Sequence, residues 1–217
     1  MMTGEGLALD SAAVQPGGRS PAPGELAVVQ AFINSFFDLE TEWGADLFAT
    51  PERLARWLSD RGLVPAGTTL RARDRTRAVI VREGLRGLAA ANNDAWERVS
   101  ADEIVLAGEA RPDTSLTELN HAAGGAGVEV QLQPDGPRFA ASGAGLDRAL
   151  GVLLAITATS MLDGSWRRLK ACPGHYCGWA FYDHSRNQTG RWCSMSVCGG
   201  RAKARAHYHR RREEDGG

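Results

Sequence analysis

The chain has 217 residues, 43% of them hydrophobic, which is enough for a buried core and excludes an intrinsically disordered protein. Its formal charge of -1 hides a segregated distribution. Met1 to Ser165 carries fourteen basic and twenty-two acidic residues, whereas Trp166 to Arg212 carries eleven basic and one acidic, which points to an anionic partner for the C-terminal stretch.

Residues 1–24 are rich in Gly, Pro, Ala and Ser, show no apolar period, and read as a flexible leader. The opening Met1-Met-Thr-Gly-Glu-Gly-Leu lacks the basic and apolar regions of a secretory signal, so a cytoplasmic protein is expected. From Glu25, the residues Leu26, Val29, Phe32, Ile33 and Phe36 recur at three- and four-residue intervals. They predict a helix that ends near Asp38-Leu39-Glu40. Asp38, Glu40 and Glu42, beside Trp43, read as a solvated helix end. Thr50-Pro51-Glu52-Arg53 is a helix start, with Thr50 as cap and Pro51 in the first turn. Leu54, Trp57 and Leu58 then form one face, and Gly62 stops the helix.

A longer helix is predicted from Thr68 to about Asn92, with Leu70, Ile80, Val81, Leu85 and Leu88 inward. Arg71, Arg73, Arg75 and Arg77 read as its solvated cationic face. A short helix follows at Thr114–Ala123, with Leu116, Leu119 and Asn120 after a Thr114 cap. The period then changes. Val128-Glu-Val-Gln-Leu alternates, Pro134-Asp-Gly-Pro137 turns, and Arg138–Ser142 returns, which predicts a β-hairpin. Gly124-Gly-Ala-Gly127 lacks the Lys-Ser/Thr of a phosphate cradle. Leu146 to Leu162 is the most apolar helix, and its run from Ala149 is shorter than the ~20 residues a membrane span needs. It reads as the core element, so no membrane partner is expected. The body has one histidine (His121), no cysteine and no nucleophile–base arrangement, so an enzyme is not expected.

All four cysteines fall between Cys172 and Cys198. Four residues separate Cys172 from Cys177, fifteen separate the pairs, and four separate Cys193 from Cys198. Two close thiol pairs at this separation suit a tetrahedral Zn²⁺, one knuckle per pair. Two disulfides are the rival reading, disfavoured in a reducing compartment. Four thiolates would close the coordination sphere, which makes the metal structural rather than catalytic. His175, inside the first knuckle, is an alternative ligand.

Between the pairs, Trp179-Ala-Phe-Tyr182 fits a short strand and Ser185–Arg191 a polar, basic loop. Trp179, Phe181 and Trp192 read as the small core around the metal. Ser194 to about Arg212 reads as a helix capped by Ser194, with Val197, Ala202 and Ala206 inward and arginines outward. Cys193 and Cys198 stand at its first turn, where the positive helix end favours thiolates.

Arg168-Leu-Lys-Ala-Cys-Pro, Cys177-Gly-Trp-Ala-Phe-Tyr-Asp, Ser185-Arg-Asn, Arg191-Trp-Cys-Ser-Met and Cys198-Gly-Gly-Arg-Ala-Lys together resemble the bacterial CGNR-type zinc finger. Gly200 stands where that motif has Asn, and the first knuckle is longer by a residue or so. Phe32-Ile-Asn-Ser, Asp46-Leu-Phe-Ala-Thr-Pro-Glu-Arg-Leu and Trp57-Leu, then the Arg-rich helix and hairpin, resemble the ABATE domain that accompanies this finger. The resemblance implies a two-part regulator of transcription, tied to stress response.

The expected architecture is mainly α with a small β-hairpin. A helical domain over residues 25–165 precedes a small zinc-stabilised, ββα, treble-clef-like module over 166–212 and an acidic tail over 213–217. The expected function is a transcriptional regulator that binds duplex DNA through the finger, with Arg186, Asn187, Arg191, Arg201, Lys203 and Arg205 as contacts. The helical domain is expected to dimerise the protein or sense a small-molecule effector. The alternative is a zinc-dependent adaptor that docks an acidic protein and does not bind DNA.

Overall fold

A computed structural model of the chain describes residues 15–36, 46–95, 112–174 and 177–215. The acidic cluster Asp38, Glu40 and Glu42, the alternative ligand His175 and the first fourteen residues lie outside the described residues.

Among the described residues, six α-helices and two antiparallel hairpins follow the chain order α1 (Leu26–Ile33), α2 (Pro51–Ser59), α3 (Ala72–Ala91), α4 (Pro112–Ala123), β1 (Val128–Gln133), β2 (Gly136–Ala141), α5 (Gly145–Leu162), β3 (Leu169–Ala171), β4 (Ala180–Tyr182) and α6 (Gly200–Asp215). The mainly helical reading holds. Local signals account for most starts and stops. Thr50 Oγ1 accepts the Arg53 N–H, with Pro51 in the first turn of α2. Asp74 accepts the Arg71 N–H at the start of α3.

The end of α1 departs from the periodic reading. The helix stops at Ile33 rather than near Asp38, and Phe36 instead forms a β-bridge with Asp46. Asn34 ends it because its side chain leaves the helix for Ala180, donating through Nδ2 to the carbonyl at 2.8 Å and accepting the N–H at 2.7 Å.

Helix α5 is long and apolar enough, by composition alone, to cross a membrane. Leu146, Ala149, Leu150, Leu153 and Ile156 bury it instead against α1, α3 and β2. Helices α3 and α4 meet at Gly84, where a Cβ would stand 2.6 Å from that of Leu119. On α4, Leu119 is buried and Leu116 exposed. Phe32, Phe48 and Trp57 form an aromatic cluster with centroids 5.3–5.8 Å apart.

The expected cationic face of α3 is only partly solvated. Arg75 Nη2 pairs with Asp46 at 3.2 Å and its Nε donates to the Phe48 carbonyl. Arg77 reaches Asp147 on α5 and the carbonyl of Ala122. Further along, Arg82 and Arg86 are each 3% exposed, and both donate through Nε to Glu83 at 2.7 Å. Buried guanidinium groups need partners, and in this fold they supply the links between helices.

Hairpin β3–β4 has two faces because side chains alternate along a strand. Leu169 pairs with Tyr182 and Ala171 with Ala180, and these four join the core of the body. The opposite face carries Lys170 and Phe181. Body and C-terminal module are therefore packed on one shared sheet.

Candidate functional site

The zinc ligands are assembled by three local devices. Between β3 and β4 the chain turns back, with Cys172 N–H donating to Trp179 O at 2.9 Å and Cys177 N–H to Gly174 O at 2.8 Å. Gly174 lies so close to the other pair that a Cβ would stand 3.0 Å from Cys198 Sγ. After Cys193, Ser194 Oγ accepts the Val197 N–H at 3.3 Å and opens a π turn over Met195–Gly199, which holds Cys198 and leads into α6. The cap is the expected one. Val197 and Ala206, expected inward, are exposed, because α6 packs on little beyond that turn.

All four Sγ atoms lie within 4.8 Å of one another, with Cys177–Cys193 and Cys193–Cys198 both at 3.6 Å. A disulfide needs about 2.05 Å, and the four cysteines are free. A tetrahedron with Zn–S of about 2.3 Å has edges near 3.8 Å. The cluster fits that edge. Hydrogen bonds from the other three thiols, and then the charge of Arg201, pull Cys198 well below the usual thiol range. A bound dication favours all four cysteines as thiolates. Trp179, Phe181 and Trp192 pack round the sulfurs as expected, with Phe181 1% exposed. Four sulfurs leave no open position for water, so such a metal holds structure.

Two family models match the chain. A CGNR zinc finger matches residues 168–211. The ABATE family, described as "Putative stress-induced transcription regulator", matches residues 12–164, more than half of the chain. The chain belongs to the ABATE family. No curated protein matches the chain. The C-terminal module of this ABATE protein is a CGNR zinc finger with one structural zinc on Cys172, Cys177, Cys193 and Cys198. A hairpin and a helix supply the ligands, in the expected treble-clef-like ββα arrangement.

The sequence-predicted contact residues divide between two elements. Arg186 and Asn187 sit on the exposed loop after β4, with Arg191 at its end. Arg201, Lys203 and Arg205 lie along α6, Arg205 half-buried. None of these side chains makes an ion pair or hydrogen bond among the described residues, whereas Arg75, Arg77, Arg82 and Arg86 of the ABATE region are all engaged.

Three features of the finger were not read from the sequence. Residues 15–22, within the expected flexible leader, lie against the finger. Arg19 donates to the carbonyls of Cys193 at 2.8 Å and Trp192 at 3.1 Å, and Gln15 Oε1 accepts from Trp179 Nε1 at 3.0 Å. The ABATE region also grips the finger's backbone. Asn93 Nδ2 donates to the carbonyls of Ala171 and Arg191, at 2.8 and 2.9 Å. Inside the loop, Lys170 pairs with Asp183 at 3.0 Å. Burial pushes the Asp183 carboxyl up, but hydrogen bonds from Ser185, Lys170 and Gly190 outweigh it and hold it at about 2. The available signal was Asp183 itself, the one acid among eleven cations.

Proposed function

We propose that this ABATE protein is a DNA-binding regulator of transcription whose zinc finger carries an unpaired cationic surface to the duplex. The observation that supports it is the contrast between the arginines of α3 that link elements and the cations clustered on the finger. Arg75, Arg77, Arg82 and Arg86, inside the ABATE region, are held by carboxylates and carbonyls, while Arg186, Arg191, Arg201, Lys203 and Arg205 have no ion-pair or hydrogen-bond partner among the described residues. Unpaired guanidinium groups cost little in water and gain when phosphates replace condensed counterions. Helix α6 suits the role. It is 16 residues long and packs on little beyond the π turn before it, so Arg201, Lys203 and Arg205 can follow a phosphate backbone.

The proposal is of a binding protein, acting in the cytoplasm, and not of an enzyme. The ABATE region would dimerise the protein or sense a small effector. Val130 and Leu132 support the first role, since they stand 60% and 87% exposed on β1. A surface depression of about 320 Å³ supports the second, lined by Glu52, Arg56, Ser59 and Thr68 among others and suited to a small polar ligand. The exposed apolar stripe also favours the alternative of a protein-binding adaptor.

The deciding experiment is binding of zinc-loaded full-length protein to a labelled duplex over a salt series, repeated after chelation. Affinity that falls steeply with salt and vanishes on chelation is expected. No binding at low salt would reject DNA recognition and leave the adaptor reading.

A further inference from the structure

The loop from Asp183 to Gly190 is fixed from the inside. Lys170 is 5% exposed and Asp183 wholly buried. The Lys170 ammonium donates to Asp183 Oδ2 at 3.0 Å, to the Gln188 carbonyl and to the Gly190 carbonyl at 3.1 Å, which uses all three of its donors. Asp183 also accepts the Ser185 N–H at 3.1 Å, the Ser185 hydroxyl at 2.6 Å and the Gly190 N–H at 2.7 Å. Gly190 comes so near that a Cβ would stand 2.8 Å from Asp183 Oδ2. Gln188 is the sole non-glycine residue with positive φ among the described residues, at 53°. A residue persists in that conformation where its surroundings over-determine it.

The outside of the same loop is the opposite. Arg186, Asn187, Gln188 and Thr189 are exposed, and none of their side chains has a hydrogen-bond or ion-pair partner among the described residues. A buried ion pair is a poor source of net stability, since apolar packing would serve as well. It does fix geometry. A loop with every inner group satisfied and every outer group free is pre-organised for a ligand.

Resting on the DNA reading above, we infer that this loop reads base edges and that α6 supplies sequence-independent attraction to phosphates. Arg186, Asn187 and Gln188 are the reading side chains, and Lys170 with Asp183 is the pair that positions them. The residue types match: Arg is bidentate to the O6 and N7 of guanine, and Asn or Gln to the N6 and N7 of adenine. The run Arg201-Ala-Lys-Ala-Arg-Ala206 offers charge with little variety of hydrogen bonding, which suits phosphates.

The test begins by selecting duplexes from a random-sequence pool with zinc-loaded full-length protein. Binding of the selected duplex and of its scrambled counterpart is then compared over a salt series. The wild-type protein is expected to prefer the selected duplex by about tenfold or more. Asn187→Ala with Gln188→Ala should erase most of that preference while zinc content, salt slope and affinity for the scrambled duplex stay unchanged. Asp183→Asn should act in the same direction without touching an exposed group. Arg201→Ala with Lys203→Ala should weaken both duplexes equally and keep the ratio. Loop variants that retain the preference would overturn the inference, as would binding with no sequence enriched. No binding at all would instead reject the DNA reading on which it rests. Should Asp183→Asn lose zinc, the surface pair decides alone.

Discussion

Arg86 and Gly178 tie the ABATE region to the zinc knuckle. The guanidinium, buried in the middle of α3, donates to the carbonyl of the residue after Cys177, and its Nη2 reaches the carbonyls of Ile33 at 2.7 Å and Phe36 at 3.0 Å. Glu83 holds it in place. One side chain therefore joins α1, α3 and the metal site.

Replacing Arg86 with Met should destabilise both parts together. The change strands three carbonyls and removes a partner from a buried carboxylate, a class of loss worth about 3–5 kcal/mol. Urea unfolding followed by tryptophan fluorescence and by far-UV circular dichroism should show one coincident transition at lower urea. Separate transitions for finger and body would show that the contact does not couple them.

Glu83→Gln should weaken the protein in a pH-dependent way. Burial pushes the Glu83 carboxyl up, but the charges of Arg86 and Arg82 and their hydrogen bonds outweigh it and hold it below its ordinary 4.5. A depressed native value means that the stabilisation is present above about 4.5 and is lost as pH falls through the native value. The stability gap between wild type and variant should be widest at neutral pH and should close below about 4.5. A gap constant from pH 7 to 3 would show that Glu83 acts by packing alone.

Removal of zinc should reach beyond the finger. Hairpin β3–β4 contributes Leu169, Ala171, Ala180 and Tyr182 to the core of the body, so its loosening exposes that core. A loss of 2–3 kcal/mol there lowers Tm by roughly 5–10 °C in a chain of this size. Calorimetry with and without a chelator checks this, and an unchanged body transition would assign all dependence on metal to the finger.

Lys203→Ala and Arg205→Ala combined should leave zinc stoichiometry and Tm nearly unchanged, since neither has an ion-pair or hydrogen-bond partner among the described residues. The slope of log affinity against log salt should become shallower by about 0.9 for each phosphate that the variant no longer neutralises. An unaltered slope would remove α6 from the DNA interface.

The sequence alone was enough for whatever is decided within a few residues or one helical turn. The two cysteine pairs, the Ser194 cap, the Thr50-Pro51 start of α2 and the apolar stripe of α5 are legible because chelation, capping and periodicity are local. Tertiary structure decided where α1 ends, that Arg75, Arg77, Arg82 and Arg86 face partners, and that residues 15–22 lie on the finger. Each depends on a polar side chain meeting a backbone group or a carboxylate that is usually far away in the chain. Arg19 meets the carbonyl of Cys193 across 174 positions. A buried arginine and a solvated one carry the same letter at the same helical spacing, and only the partners brought to them by folding tell the two apart.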